Sequence, residues 1–221
     1  MNARPYRLLI FDWDGTIMDS IASIVACSAA AIRDLGLGGM PEAAIRGTIG
    51  LGMREMVDAL FPGCEEDLYG RLLERYRAHW LSTYRDLSVP FPGVDRTLRA
   101  LAAEGYLLAI ATGKSRRGLD LDLSRTGLGA LFAATRTADE AFSKPNPQML
   151  LDVLEELGQR RRTAVMIGDS THDLQMAASA GIAAVAVCTG SHPRGELLSL
   201  APLACLGGVV ELPEWLARRE D

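Results

Sequence analysis

The chain is poor in the residues that build thiolate metal centres and disulfide frameworks. Four cysteines (Cys27, Cys64, Cys188, Cys205) and three histidines are scattered through 221 residues, with no C-x-x-C pair and no histidine beside a cysteine. That distribution argues against a zinc module and fits free thiols in a reducing compartment. No apolar run approaches the ~20 residues that cross a bilayer. Residues 1–5 lead straight into an apolar strand, without the hydrophobic core of a secretion signal. The expectation is a cytoplasmic protein with no membrane span. A basic surplus is missing too. The 23 Lys and Arg against 28 Asp and Glu give a net charge of −5, which speaks against a general nucleic-acid or anionic-membrane binder. The arginine runs at 160–162 and 218–219 read as solvated surface. Internal repeats and low-complexity tracts are absent. What remains is ordinary globular material, 48% hydrophobic and 23% charged, enough for one large domain or two small ones.

The most informative segment is Asp12-Trp13-Asp14-Gly15-Thr16, directly after the apolar run Leu8-Leu9-Ile10-Phe11. The run reads as a buried strand and Gly15 as the turn that ends it. Side chains two residues apart on an extended backbone point the same way. Asp12 and Asp14 therefore form a pair of like charges at the carboxyl end of a strand, where open α/β sheets place their sites. Such a pair repels unless a cation lies between its members or one holds a proton. Taken alone, the segment is equally well an acidic turn, since Asp and Gly are ordinary turn residues.

Residues 17–35 have helical spacing, and Gly36, Gly38 and Gly39 end that stretch. Pro41 suits the first turn of another helix, and helical patterns follow at 53–60 and 65–84. No convincing strand is expected between 17 and 85, and 86–93, with Pro90 and Pro92, reads as a linker. The pattern then alternates. Strands are expected at 106–111, 131–135, 163–167 and 182–187, with helices at 94–104, 115–126, 147–157 and 172–180. Continuous apolar strands alternating with helices argue a parallel sheet covered on both faces. The predicted organisation is an α/β core (1–16 and 86–221) interrupted by an all-helical cap (17–85).

Three further segments sit at the ends of core strands or beside them. They are Thr112-Gly113-Lys114, Ser143-Lys144-Pro145-Asn146-Pro147, and Gly168-Asp169-Ser170-Thr171-His172-Asp173. Each alone has a bland reading: a helix cap for Thr112, a solvated lysine for Lys144, turn and cap residues for Asp169 and Asp173. Gathered at one end of one sheet they offer carboxylates, a hydroxyl, a backbone N–H and an ammonium. That inventory suits a divalent cation plus a phosphate.

Taken together, Asp12-Trp13-Asp14-Gly15-Thr16, Thr112-Gly113-Lys114, Ser143-Lys144-Pro145 and Gly168-Asp169-Ser170 with Asp173 give a specific resemblance, in order and over nearly the whole chain. The sequence resembles the haloacid dehalogenase superfamily, among its phosphatases with a helical cap, and phosphoglycolate phosphatases most of all. Phe91-Pro92-Gly93-Val94 is similar to the family's return from cap to core. The resemblance implies a doubly wound, Rossmann-like parallel sheet and a Mg²⁺-dependent phosphatase for a small phosphorylated metabolite. It implies Asp12 as nucleophile, forming an aspartyl-phosphate, and Asp14 as the acid that protonates the leaving oxygen and then the base that activates water. Thr112, Gly113 and Lys144 would hold the phosphoryl oxygens. Asp12, the Asp14 carbonyl and Asp169 would hold Mg²⁺, with Asp173 behind them or as an alternate ligand. The segment 47–54 is similar to the family's specificity region, so Arg54 or neighbouring backbone N–H groups are expected to meet an anionic part of the substrate. Asp14 favours phosphoryl transfer, because the dehalogenases generally lack that second acid. The related sugar-phosphate mutases typically carry a cap histidine soon after the nucleophile. Here Ser23-Ile24-Val25 stands there, and no histidine precedes His79. An inorganic pyrophosphatase or a sugar-phosphate phosphatase shares every core motif, and a non-catalytic binding protein is the remaining alternative. Monomer and homodimer are both expected forms, with no nucleic-acid partner.

Overall fold

In a computed structural model, describing residues 4–219, the apolar runs become strands of one sheet. In chain order the elements are β1 (Leu8–Phe11), β2 (Met18–Asp19), α1 (Ile21–Asp34), α2 (Glu42–Gly47), α3 (Met53–Leu60), α4 (Leu68–His79), β3 (Val89–Pro90), α5 (Val94–Ala103) and β4 (Leu107–Thr112). They continue as α6 (Arg116–Thr126), β5 (Phe132–Thr137), α7 (Gln148–Glu156), β6 (Ala164–Gly168), α8 (Thr171–Ala180), β7 (Ala183–Val187), α9 (Arg194–Ser199), β8 (Cys205–Leu206) and α10 (Leu212–Ala217).

Six strands pair in the order β5-β4-β1-β6-β7-β8. All of these pairings are parallel, with Leu8 opposite both Leu107 and Ala164. The strand order reverses at β1: the chain winds outward through β4 and β5, then returns to β6 on the other side. This is the Rossmann-like topology expected, and the carboxyl end of β1 lies at its switch point.

The period-two alternation of β1 divides the core. Leu9 and Phe11 pack with Leu108, Ile110, Val165 and Ile167 on one face, under α5 and α10. Leu8 and Ile10 pack with Ala109, Ala111, Ala164 and Met166 on the other, under α7 and α8. With both faces covered, the inner strands β1, β6 and β7 carry no polar side chain. Helices α1 to α4 bury a cluster of their own, including Val25, Ile32, Ile45, Val57 and Leu72. No described helix is long and apolar enough to cross a membrane.

Three local differences from the sequence reading have physical causes. The expected helix at 17 begins only at Ile21, because residues 13–18 first close a tight turn. The N–H groups of Thr16, Ile17 and Met18 all donate to the Trp13 carbonyl, and Gly15 supplies φ +82°. Met18–Asp19 then pairs antiparallel with Val89–Pro90, a two-stranded ribbon where a helix and a linker were expected. A ribbon this short carries no alternation to read. The long helical pattern at 65–84 divides into α4 and a π-helical turn, Trp80–Tyr84.

Candidate active site

The carboxyl ends of β1, β4 and β6 bring the predicted residues together. Asp12 leaves β1 with Oδ1 accepting the Trp13 backbone N–H at 2.7 Å and lying 2.8 Å from Lys144 Nζ. Lys144, on the loop before α7, reaches the same point and places Nζ 2.6 Å from Asp173 Oδ1. Asp169, at the end of β6, lies beside them: Asp12, Asp169 and Asp173 each offer an oxygen within 4.8 Å of the others. All four side chains are buried.

Each carboxylate is held by its own local structure. Ser170 caps α8 by accepting the Asp173 N–H, while Asp173 Oδ2 accepts from the Ser170 N–H and hydroxyl, a reciprocal capping box. Asp169 Oδ1 accepts from the Thr16 hydroxyl at 2.8 Å, and Oδ2 from the Ser191 N–H at 2.8 Å and hydroxyl at 3.0 Å. Room for this carboxylate requires glycine on two sides: a Cβ on Gly15 would lie 2.6 Å from Asp169 Oδ2, and one on Gly190 would collide with it.

The electrostatics of the cluster are those of crowded like charge. Burial pushes the Asp12 carboxyl well above the usual range, with Asp173 and Asp169 adding repulsion and Lys144 opposing it. Burial and the Asp173 charge raise Asp169 to about 6, against the hydrogen bonds from Ser191 and Thr16. Burial works against the Lys144 ammonium, but Asp12 and Asp173 outweigh it and hold its pKa above the ordinary lysine value. Three carboxylates thus face one ammonium.

Asp14 stands apart. Its carboxylate accepts from Lys114 Nζ at 3.2 and 3.1 Å and from the Ser20 hydroxyl at 2.7 Å. Lys114 also lies 3.3 Å from Asp122 Oδ2 on α6 and 4.9 Å from the centre of the Trp80 ring. Asp122 is buried and accepts the Trp13 indole N–H at 3.0 Å. A cavity of about 180 Å³ opens over this floor, and Asp12, Asp14, Thr112, Gly113 and Lys114 line it. Lys144, Asp169 and Asp173 are not among its lining residues.

The loop between α2 and α3 closes over that floor. The Gly52 N–H donates to Ser143 Oγ at 2.8 Å, and His172 Nε2 meets the Gly47 carbonyl at 3.0 Å. A Cβ on Gly113 would run into the carbonyl oxygens of Gly50 and Leu51, so glycine is what lets this loop approach. Arg54 is not drawn in. It is exposed, with its guanidinium 4.4 Å from the centre of the Tyr69 ring, outside the cavity lining.

Sequence reasoning gave no role to Thr16, Ser20, Lys114, Asp122, Ser143 or Ser191. Thr189-Gly190-Ser191 follows β7 and was open to the strand-end logic that selected the other segments. The remaining hydroxyls gave no signal beyond an ordinary turn.

The sequence matches the haloacid dehalogenase-like hydrolase family over residues 9–187. The chain belongs to that family. It is 36% identical over 203 residues to a Dickeya dadantii protein named "Probable phosphatase IndB", covering 88% of this chain and 86% of that one. It is 32% identical over 196 residues to a phosphoglycolate phosphatase of Agrobacterium fabrum, covering 86% and 84%. The crystal structure of a Pseudomonas syringae hydrolase shares the fold, with a TM-score of 0.88 at 23% identity over 96% of this chain and 98% of that one.

Proposed function

We propose that this hydrolase removes the phosphoryl group from a small phosphorylated metabolite, through an aspartyl-phosphate at Asp12 and with Mg²⁺ as its cation. The observation that carries the proposal is the buried cluster of Asp12, Lys144, Asp169 and Asp173, which meets the cavity through Asp12.

The residues fit the cation. An all-oxygen donor set suits a hard divalent ion and disfavours softer ones. Burial first and the neighbouring carboxylates second push Asp12 and Asp169 upward, and a cation among these carboxylates would favour their charged forms. Asp12, Asp169 and the Asp14 carbonyl would hold the ion, with Asp173 behind them or as an alternate ligand. When bound, it neutralises charge and polarises the phosphoryl oxygens.

The chain's own residues supply the rest. Lys144 fixes Asp12 Oδ1, and among the described residues no hydrogen bond goes to Oδ2, which is the oxygen free to attack phosphorus. As the Asp12 O–P bond forms, the ester P–O bond breaks, and Asp14 gives a proton to the departing oxygen. Water then attacks the phosphorus, Asp14 recovers a proton from it, and the Asp12 carboxylate leaves. Thr112, the Gly113 N–H and Lys144 hold the phosphoryl oxygens. The cap, residues 17–85, excludes water by closing through the Thr48 to Gly52 loop.

Phosphoglycolate is the compound the relatives' names nominate; inorganic pyrophosphate and sugar phosphates belong in the same panel. The test is hydrolysis of p-nitrophenyl phosphate by the purified protein, with and without Mg²⁺, and by Asp12→Asn. Activity that needs the cation and vanishes in the variant is expected. A folded protein that hydrolyses no phosphoester would overturn the proposal and leave a binding protein with this fold.

A further inference from the structure

The wall above Asp14 is poor in the one thing a second small anion needs, a buried cation. Ile24, Ile49, Met56, Leu73, Tyr76 and Trp80 face the cavity. Tyr76 and Trp80 stack with ring centres 5.9 Å apart and planes 10° from parallel. Trp80 opens the π-helical turn that follows α4. Such turns are frequent at functional sites, and here the indole lies beside Lys114.

The available cations are spoken for or lie at the rim. Lys114 is committed to Asp14, Asp122 and the Trp80 face. Arg54 points away, over Tyr69. Arg77 and Arg117 line the cavity but are exposed to solvent. Rim charges in water draw anions toward an entrance and are screened by salt. They do not offset the loss of hydration when a carboxylate enters an apolar wall, which is costly without a buried partner.

We propose that this wall receives the apolar, planar part of an alcohol leaving group, and that Trp80 is the residue that selects it. The inference rests on the phosphatase reading above and names its substrate class: phosphate monoesters of alcohols that carry a ring or a comparable flat apolar body, in preference to the short carboxylate of phosphoglycolate. Such a group packs against the cavity-facing side of the Tyr76–Trp80 pair while its phosphoryl end reaches Asp12.

Three alkyl phosphates separate the possibilities, because each releases an alkyl alcohol whose oxygen takes its proton from Asp14: benzyl phosphate, methyl phosphate and phosphoglycolate. Wild-type kcat/KM is expected to be at least tenfold higher for benzyl phosphate than for phosphoglycolate. Trp80→Leu is expected to lower kcat/KM about tenfold for benzyl phosphate and about twofold for methyl phosphate, mainly through KM. Phosphoglycolate as the best of the three, or an equal loss on both esters in Trp80→Leu, overturns the inference and leaves the phosphatase reading standing. Hydrolysis of none of the three by wild-type protein with Mg²⁺ overturns the inference, and failure on p-nitrophenyl phosphate and every other phosphoester as well overturns both. The wild-type ranking needs no variant to fold, and Tyr76→Leu, expected to show the same selective loss, provides a second test of the stack.

Discussion

Replacing Lys144 with methionine tests the electrostatics of the cluster most directly. The side chain is buried, and its ammonium lies 2.8 Å from Asp12 and 2.6 Å from Asp173. At an effective dielectric of about 20, each contact at such range represents roughly 6 kcal/mol of attraction. Several kcal/mol of that is offset by the ammonium's own desolvation, and breaking a buried pair from one side costs about 3–5 kcal/mol net. For a chain of this length that corresponds to a Tm lower by about 6–20 °C. The measurement is urea and thermal unfolding of both proteins in EDTA, at pH 5 and pH 8. The sign of the pH effect follows from the direction of the shifts. Asp169 is raised to about 6 and Asp12 is raised as well. The folded state therefore binds more protons than the unfolded chain between roughly pH 4 and 6, and their contribution to stability falls as pH rises through that window. Losing Lys144 removes the one group that opposes the rise at Asp12, so the deficit of Lys144→Met is expected to be largest at pH 8 and smaller at pH 5. Added Mg²⁺ is expected to recover more stability in the variant than in the parent, by mass action on a more negative site. A deficit under about 1 kcal/mol at pH 8 would refute the reasoning, as would one of equal size at both pH values.

The roles of the carboxylates separate by titration with Mg²⁺: Asp169→Asn is expected to weaken binding by about 10–100-fold, while Asp14→Asn slows turnover and leaves affinity within about threefold, since its carboxylate is turned toward Lys114 rather than into the cluster. Thr16→Val keeps the shape of the side chain but removes the 2.8 Å hydrogen bond to Asp169; a roughly tenfold loss of Mg²⁺ affinity is expected by calorimetry, with the fold retained. Gly113→Ala would drive a methyl into the carbonyls of Gly50 and Leu51, which cannot rotate aside. The loop must retreat, so kcat/KM should fall at least tenfold for about 1–3 kcal/mol of lost stability, and an activity within twofold of wild type would show that the loop does not seal the site.

The core was legible where burial on both faces leaves long apolar runs. β1, β4, β6 and β7 fall within about two residues of their predicted bounds, and with them the positions of Asp12, Thr112 and Asp169. What escaped was structure made by backbone alone or by distant partners. The β2–β3 ribbon and β8 are two residues per strand, too short to show a period. Thr16 and Asp169 are 153 residues apart in sequence, and no local pattern in either predicts the bond between them. Arg54 is a different case. Met53, Met56, Val57 and Leu60 form the apolar stripe of α3, and Arg54 falls beside Asp58 on the exposed side. The helical period by itself turns Arg54 outward. A guanidinium suits an anionic substrate in chemistry, but its phase on α3 keeps it from the cavity.

The two carboxylates of the opening motif are parallel in sequence, yet the fold gives each a separate counter-charge. Lys144 bridges Asp12 to Asp173 on α8; Lys114 bridges Asp14 to Asp122 on α6. The arrangements match except in balance. Around Lys144 a third carboxylate, Asp169, leaves two negative charges in excess. Around Lys114 the second carboxylate is met by Arg125, 3.5 Å from Asp122 Oδ1, so charges of both signs are equal. A divalent ion is therefore drawn to Asp12 and finds no deficit at Asp14, although the two residues are neighbours on one turn. Asp122→Asn tests this division. It keeps the Trp13 contact sterically possible but makes the Lys114 group net positive. Mg²⁺ affinity is expected to stay within about threefold while turnover falls, because Lys114, freed from Asp122, then binds Asp14 alone and competes with the leaving oxygen for its carboxyl group. A loss of Mg²⁺ affinity as large as that of Asp169→Asn would mean that the two groups act as one electrostatic unit, and the separation of roles drawn from their geometry would fail.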